Sequence, residues 1–386
     1  MIRILAKRYL QGDPVIWIVV LALSAIGVLI VYSSSSWLAF RVRGGDTEYY
    51  LFRHILLLAL SLGIMYLVHK ADYRIFARIS TLALWLSVPL LLFTLMYGKI
   101  LNDASRWLVI PIVNQSFQTS DLAKLALIAH LAGMLSRRQQ TITNLRTTLI
   151  PVMIWCFLIC GLIAVSDVST GAMLFVTCAL LMFIGRVPKR YVFTFVMVGV
   201  LLGGSAFMIR FGERSETAMG RITSYIASVK GEQEPEFQAQ QSYIAIATGG
   251  VQGKGWGNSD QRNNLPHPHS DFVYAIVIEE YGLVGGVVVI FLYLILLYRG
   301  MRAVSRSDKA FGGLLSAGLS FAVVIQAMIN MGVAVGLGPI TGLPLPLISM
   351  GGTSLLFTCV SVGIILSASK EPNIEEKVKV QTVQWH

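Results

Sequence analysis

Apolar runs long enough to cross a bilayer recur along nearly the whole chain, with short basic clusters between them. A spanning helix needs about 20 largely apolar residues. Ten segments meet or approach that length: 15–34, 51–69, 77–97, 121–136, 147–165, 170–185, 190–209, 271–298, 311–337 and 348–368. This pattern predicts an all-α fold, a polytopic membrane protein with ten transmembrane helices. Composition closes off the soluble alternative. Hydrophobic residues fill 55% of the 386 positions and charged residues 13%, against about 25% charge in a typical soluble domain. One membrane bundle absorbs residues 1–370, and 371–386 read as a short cytoplasmic tail. The first run is too long for the roughly 7–15-residue core of a cleavable signal and lacks a small-residue cleavage site. It is expected to stay in the membrane as a helix.

The formal charge of +11 marks topology rather than a nucleic-acid partner, because the basic residues form no stripe and no nucleic-acid motif. Counted from an inside N-terminus, the inside segments hold Arg3, Lys7 and Arg8; Lys70, Arg74 and Arg78; Arg137, Arg138 and Arg146; Arg186, Lys189 and Arg190; Arg299, Arg302, Arg306 and Lys309; and Lys370, Lys377 and Lys379. The short outside segments hold only Arg41, Arg43, Lys99 and Arg106. Cytoplasmic loops carry the Lys/Arg excess in this way, so both termini are expected in the cytoplasm. Cys156, Cys160, Cys178 and Cys359 lie inside apolar runs without metal-ligand spacing and read as packing residues. No internal repeat of the kind that builds many secondary transporters is visible.

Residues 210–270 are the one large hydrophilic excursion, expected outside the membrane. The first half, with Glu213, Arg214, Glu216 and Arg221, fits a short helix on the membrane surface. The second half places Gly249, Gly250, Gly253, Gly255 and Gly257 among Tyr243, Ile244, Ile246 and Trp256, a mixture that argues for an ordered loop. Farther on, GLGPITGLPLPLISMGGTSLL (336–356) sets glycine and proline into an otherwise helical pattern. Broken backbone at membrane depth is tolerated only where protein or a water-filled cavity satisfies its polar groups. The stretch therefore predicts a re-entrant segment before the last helix.

Ionisable residues at membrane depth are functional-site candidates, and most stand at the outer helix ends. Asp121 and Lys124 open the fourth span in TSDLAKLALIAH; spaced i, i+3, they share a helix face. A structural ion pair and an anion-binding lysine both fit. Arg106 and Trp107 precede that helix in the outside loop, an Arg suited to phosphate and a Trp suited to a sugar face. Asp271 begins the eighth span in NNLPHPHSDFVYAIVIEEYG, either as a helix N-cap or as a carboxylate at the mouth of an outward cavity. At 100° per residue, Glu279 lies about 80° and Glu280 about 180° around the helix from Asp271. They read as inter-helix hydrogen-bond or ion-pair partners. His267 and His269 form an H-x-H beside Asp271, but no third ligand stands near and no metal site is predicted.

The segments QAQQSYIAIATGGVQGKGWGNSDQRNNLPHPHSDFVYAIVIEEYG and NMGVAVGLGPITGLPLPLISMGGTSLL closely resemble the two signature regions of the SEDS family (shape, elongation, division, sporulation). RWLVIPIVNQSFQTSDLAK resembles a third, and with ten matching spans the resemblance covers nearly the whole chain. It implies a peptidoglycan glycosyltransferase that polymerises lipid II at the outer face of the bacterial cytoplasmic membrane. The implied partner is a single-pass class B penicillin-binding transpeptidase, among other division or elongation proteins. The family's essential acid of the H-x-D-F motif falls on Asp271, the implied catalytic residue. Its fourth-span acid/lysine pair falls on Asp121 and Lys124, and its loop Arg-Trp on Arg106 and Trp107. Lys254 and Ser349, inside the two long motifs, complete the implied substrate-binding set. Asp121 departs from the usual Glu, Thr119 and Ser166 from proline, and Met350 from tyrosine. The YSSSS ending of the first span and the short charged tail fit the division branch (FtsW) better than the elongation branch (RodA).

Glycan polymerisation of this kind joins a 4-hydroxyl to an anomeric carbon and expels a lipid pyrophosphate. It needs a base at the hydroxyl and positive charge at the phosphates. Asp271 is the candidate base, and Lys124 the candidate for the phosphates, with Arg106 or a divalent cation (Mg or Mn) beside it. The glycines of 249–257 are expected to let backbone N–H groups approach substrate. Two other functions compete. A lipid II flippase needs polar residues continuously across the membrane, yet here they gather at the outer ends, apart from Arg53, His130, Gln326 and the Glu279/Glu280 pair. A division scaffold needs no outer carboxylate.

Overall fold

The computed structural model describes residues 10–43, 47–101, 104–110, 115–209, 215–263, 265, 271–306 and 310–370. A helix occupies most of each of the ten predicted segments: α1 Pro14–Arg43, α2 Thr47–Lys70, α3 Tyr73–Tyr97, α4 Thr119–Arg137, α5 Ile150–Ser166, α6 Val168–Ile184, α7 Lys189–Ile209, α10 Val273–Arg306, α11 Ala310–Ala334 and α12 Gly352–Ala368. Two more helices, α8 Ser215–Val229 and α9 Phe237–Gly249, stand in the long loop. Six helical stretches are long and apolar enough to cross a membrane by length and composition: Pro14–Ser34, Glu48–Lys70, Tyr73–Tyr97, Arg146–Ser166, Val273–Val304 and Ala310–Ala334. Val168–Ile184 and Gly352–Ala368 are shorter apolar helices.

Helix ends follow local chemistry. Asp72 caps α3 by accepting from Arg74 N, and Asp167 caps α6 by accepting from Thr170 N. Pro151 sits in the first turn of α5, where its missing N–H costs nothing. Asp13 pairs with Arg299 at 3.2 Å, and its N–H donates to Ser369 Oγ at 3.0 Å. These contacts tie the start of α1 to α10 and to the end of α12.

The core is built around α11, most of whose surface is buried among α4, α6, α10 and α12. Small residues let the helices close on one another: a Cβ on Gly318 would meet Ile128 at 2.7 Å, and one on Gly363 would meet the Met65 carbonyl at 2.9 Å. By contrast, α2, α3 and the membrane half of α10 leave large apolar side chains such as Leu82, Trp85 and Phe291 exposed, as lipid-facing helices do. All four cysteines are buried free thiols, in keeping with a packing role.

Three features differ from the sequence expectation. The loop before α4 contains a three-stranded antiparallel sheet, β1 Lys99–Leu101, β2 Ala104–Ile110 and β3 Gln115–Gln118. Short strands that pair only with each other leave little hydropathy signal. The last two helices also yield to the re-entrant segment: α11 stops at Ala334 and α12 starts at Gly352, so residues 335–351 are irregular. Leu343, Leu345, Leu347 and Ile348 within that stretch are buried. Finally, α10 is broken at Gly282, whose φ of 71° and ψ of −174° are not helical.

Candidate functional site

At one end of the bundle α4, α6, α11, α12 and the re-entrant segment enclose a cavity of about 40 Å³. That volume holds a few water molecules, at roughly 10–15 Å³ of such space each. Its polar mouth is the pair predicted from sequence: Lys124 Nζ lies 2.7 Å from Asp121 Oδ1, with the side chains only 14% and 4% exposed. The inner wall is apolar, with Leu125, Ile128, Met173 and Leu319, and α12 adds Ser354, Thr358 and Ser361. Among the described residues, Asp121 Oδ2 is buried with no hydrogen-bond partner. A buried acceptor left open in a polar cavity is costly unless water or a ligand donates to it. Asp121 Oδ2 is thus a ready acceptor for an incoming hydroxyl or amide.

The cavity is linked to Asp271 through α11. Gln326 lines the cavity, with its Oε1 3.5 Å from Lys124 Nζ, and its Nε2 donates to the Pro344 carbonyl at 2.9 Å. One turn away, Asn330 Nδ2 donates to the Leu343 carbonyl at 2.7 Å and to the Asp271 carbonyl at 2.8 Å. Residues i and i+4 share a helix face, so two amides on one stripe hold consecutive carbonyls of the re-entrant segment. Together they set Lys124 and Asp271 in one frame. Asn330 Oδ1 is buried and has no partner among the described residues, a second open acceptor. Sequence reasoning noted Gln326 and missed Asn330; an amide inside an apolar run is the signal that finds it.

The other predicted residues are placed as follows. Asp271 is half-buried and precedes α10 by two residues, so the helix begins later than expected, at Val273. It does not line the cavity. Trp107 pairs in register with Gln118 across β2 and β3. Since Gln118 N donates to Thr353 Oγ1 at 3.2 Å, the sheet is tied to the start of α12. The side chains of Arg106 and Trp107 lie outside the described part of the structure, as do His267 and His269. Ser349 Oγ accepts from Leu345 N at 2.8 Å and so stitches the re-entrant turn. Lys254 is engaged on two sides, 2.7 Å from Glu279 Oε1 and 2.8 Å from Asp260 Oδ2. Burial by itself would lower its pKa, but the two hydrogen-bonded carboxylates outweigh that and hold it above the ordinary lysine value. Reciprocally, Lys254 holds Asp260 below the ordinary carboxylate value.

The glycine-rich loop also departs from expectation. Lys254 N and Gly255 N donate to the Glu279 and Glu280 carbonyls at 2.9 and 3.0 Å, so these N–H groups face α10 rather than an incoming substrate. Glu279 meets both the loop, through its ion pair with Lys254, and α9, through Thr248 Oγ1 at 3.5 Å, and Glu280 accepts from Ser33 Oγ of α1, an inter-helix bond as predicted. Among the described residues no three His, Cys, Asp or Glu side chains gather to hold a metal.

Fold and site together define a polytopic helical membrane protein with a buried acid–lysine pair in a cavity closed by a broken re-entrant segment. The chain belongs to the FtsW/RodA/SpoVE family of cell cycle proteins, whose model matches residues 13–374. It is 32% identical to stage V sporulation protein E of Bacillus subtilis over 365 residues, 93% of this chain and 97% of that protein. It is 34% identical to the probable peptidoglycan glycosyltransferase FtsW of Nitrosococcus halophilus over 371 residues, 94% of this chain and 92% of that one. Among solved structures, the fold matches a chain from work on the structural coordination of polymerization and crosslinking by a peptidoglycan synthase complex. The TM-score is 0.74 at 24% identity, covering 94% of this chain and 98% of that one. It also matches the rod shape determining protein RodA of Thermus thermophilus, with a TM-score of 0.68 at 23% identity over 94% and 98% of the two chains.

Proposed function

We propose that this protein is a peptidoglycan glycosyltransferase that polymerises lipid II for the septal wall at the outer face of the bacterial cytoplasmic membrane. The observation that carries the reading is the Asp121–Lys124 pair in its cavity, joined through Gln326 and Asn330 to the Asp271 backbone. Family membership and relatives named as FtsW glycosyltransferases support it. Ten spans with both termini and the 371–386 tail in the cytoplasm place Lys124 and Asp271 at the outer end of the bundle. In the reaction, the Asp271 carboxylate takes the proton from the 4-hydroxyl of one lipid II as that oxygen attacks the anomeric carbon of another. Lys124 meets the negative charge of the departing pyrophosphate, and Arg106 and Trp107, on β2, are the further candidates for substrate contact. A class B penicillin-binding transpeptidase is the proposed partner, and the matched synthase complex, described as coordinating polymerization with crosslinking, supports that pairing.

The test is Asp271→Asn in purified protein given labelled lipid II, with and without the transpeptidase. The amide keeps size and hydrogen-bond acceptance but cannot take a proton at neutral pH. We expect a folded, membrane-inserted variant whose polymerisation falls by about 10²–10⁴-fold, the range of a lost general base. A stable Asn variant that still builds long glycan chains removes Asp271 as the base.

A further inference from the structure

The break in α10 is splinted by the glycine-rich loop. In an unbroken helix Leu283 N and Val284 N would donate to the Glu279 and Glu280 carbonyls. Instead Leu283 N reaches the Gly250 carbonyl at 2.9 Å and Val284 N the Val251 carbonyl at 3.5 Å, while Lys254 N and Gly255 N supply the two freed carbonyls. The loop thus replaces the two lost helical bonds with four of its own. Contact is so close that a Cβ on Gly282 would lie 2.1 Å from the Val251 carbonyl, and one on Gly253 would lie 2.3 Å from the Glu280 carbonyl. Both glycines also have positive φ. No other residue fits at either place.

One side chain locks this arrangement. Glu279 is 0% exposed, and five donors of the loop and of α9 converge on its carboxylate. They are Lys254 Nζ at 2.7 Å, Ser259 Oγ, Asp260 N at 3.1 Å, Gln261 N at 3.3 Å and Thr248 Oγ1 at 3.5 Å. A buried carboxylate this fully partnered holds one geometry, because losing Lys254 leaves its charge uncompensated and losing any other donor leaves a buried acceptor short of a hydrogen bond.

The outer half of α10 is the piece so held. Residues Phe272–Glu280 are all buried, and Asp271 is fixed ahead of them by Asn330. About 16 Å of helix separates Gly282 from Asp271 at 1.5 Å per residue. A tilt of about 4° at the break therefore moves Asp271 by about 1 Å, an error that can cost a reaction about 10²-fold. We propose that Glu279, with Lys254, is a positioning residue that fixes the outer half of α10 by clamping loop 250–261 onto the break. This rests on Asp271 being the reacting carboxylate and adds what keeps it in place.

The experiment compares Lys254→Met, Lys254→Arg, Glu279→Gln and the double variant Lys254→Met/Glu279→Gln in the full-length protein. Steady-state polymerisation of lipid II is measured beside amide exchange of segments 250–261 and 279–284. Positioning predicts a kcat about tenfold or more lower in Lys254→Met and Glu279→Gln, with KM within about twofold. The double variant should be no worse than the poorer single one, since the two act as a unit. Lys254→Arg, which keeps the charge, should recover most of the rate. Exchange should rise in both segments together. A KM rise at unchanged kcat in Lys254→Met would mean that Lys254 meets substrate, and the proposal fails. Faster exchange with kcat intact, or exchange confined to the loop, also overturns it. A wild-type protein inert toward lipid II overturns the functional reading instead; joint exchange of the two segments would still uphold the splint, and loop-only exchange would remove it.

Discussion

Asp121 has one oxygen on Lys124 and another that no group among the described residues satisfies, and that asymmetry separates a structural pair from a working one. A purely structural pair at this depth would satisfy both oxygens, because a buried acceptor without a donor costs about 1–3 kcal/mol. Removing Lys124 leaves the carboxylate uncompensated. We expect Lys124→Met to lose about 3 kcal/mol of stability, the low end of breaking a buried pair, read as a lower melting temperature in detergent. Adding Asp121→Asn neutralises the abandoned charge and should restore most of that stability. Activity should not return, because the positive charge for the pyrophosphate is still missing. A double variant that regains both stability and polymerisation would reduce the pair to scaffolding. The pairing of Asp121 with Lys124 was legible in sequence because two charges spaced i, i+3 at the head of an apolar run are conspicuous. Which oxygen of Asp121 is open was not, since that depends on the neighbours the fold brings.

At the level of elements, hydropathy located every helix of the bundle and predicted the broken stretch before α12 from its glycines and prolines. It missed the break in α10, because Gly282 stands between Tyr281 and Leu283 in a run that stays apolar on average. Side-chain hydropathy is blind to backbone torsion there; the paired Glu279 and Glu280 were the visible trace. The same limit hid the partners of Lys254, whose motif position pointed to substrate and whose Nζ lies on Glu279 and Asp260. That clamp carries a pH signature. Asp260 is depressed below its ordinary value, so its contribution is present above the unfolded carboxylate pKa of about 3.9 and fades as pH falls through the lower, folded value. Lys254 is raised, so its contribution is complete below the unfolded lysine pKa of about 10.4 and fades as pH rises through the folded value. The melting-temperature gap between wild type and Lys254→Met should stay flat across the neutral range and narrow at both extremes. A gap that changes steadily between pH 6 and 8 would point to a histidine rather than to this clamp.

For the whole molecule, what counts is which end of the bundle faces out, because Lys124 and Asp271 can meet an extracytoplasmic lipid-linked sugar from one end only. The basic clusters settle an orientation only if the number of spans is right: one span too many or too few inverts every later loop. The fold supplies an internal check. The contacts of Asp13 with Arg299 and Ser369 gather the start of α1, the far half of α10 and the end of α12 at one end. The cavity and the re-entrant segment are built where α4 and α12 begin and α11 ends. α8 extends this second end, with Tyr225 Oη donating to the Gly336 carbonyl just past α11 at 3.2 Å. So the 215–249 helices sit with the cavity, and Lys370 sits with the opposite, arginine-bearing end. Reporter fusions at Lys370 and within 230–240 should therefore label opposite sides of the membrane, with Lys370 in the cytoplasm. A cysteine placed at Glu232 should react with an impermeant thiol reagent in intact cells, whereas one at Lys370 should react only after the membrane is opened. If both positions reported the same side, the bundle would contain an even number of crossings between them. The cavity would then face the wrong compartment for lipid II polymerisation, or the loop carrying Lys254 would be parted from the half of α10 it clamps.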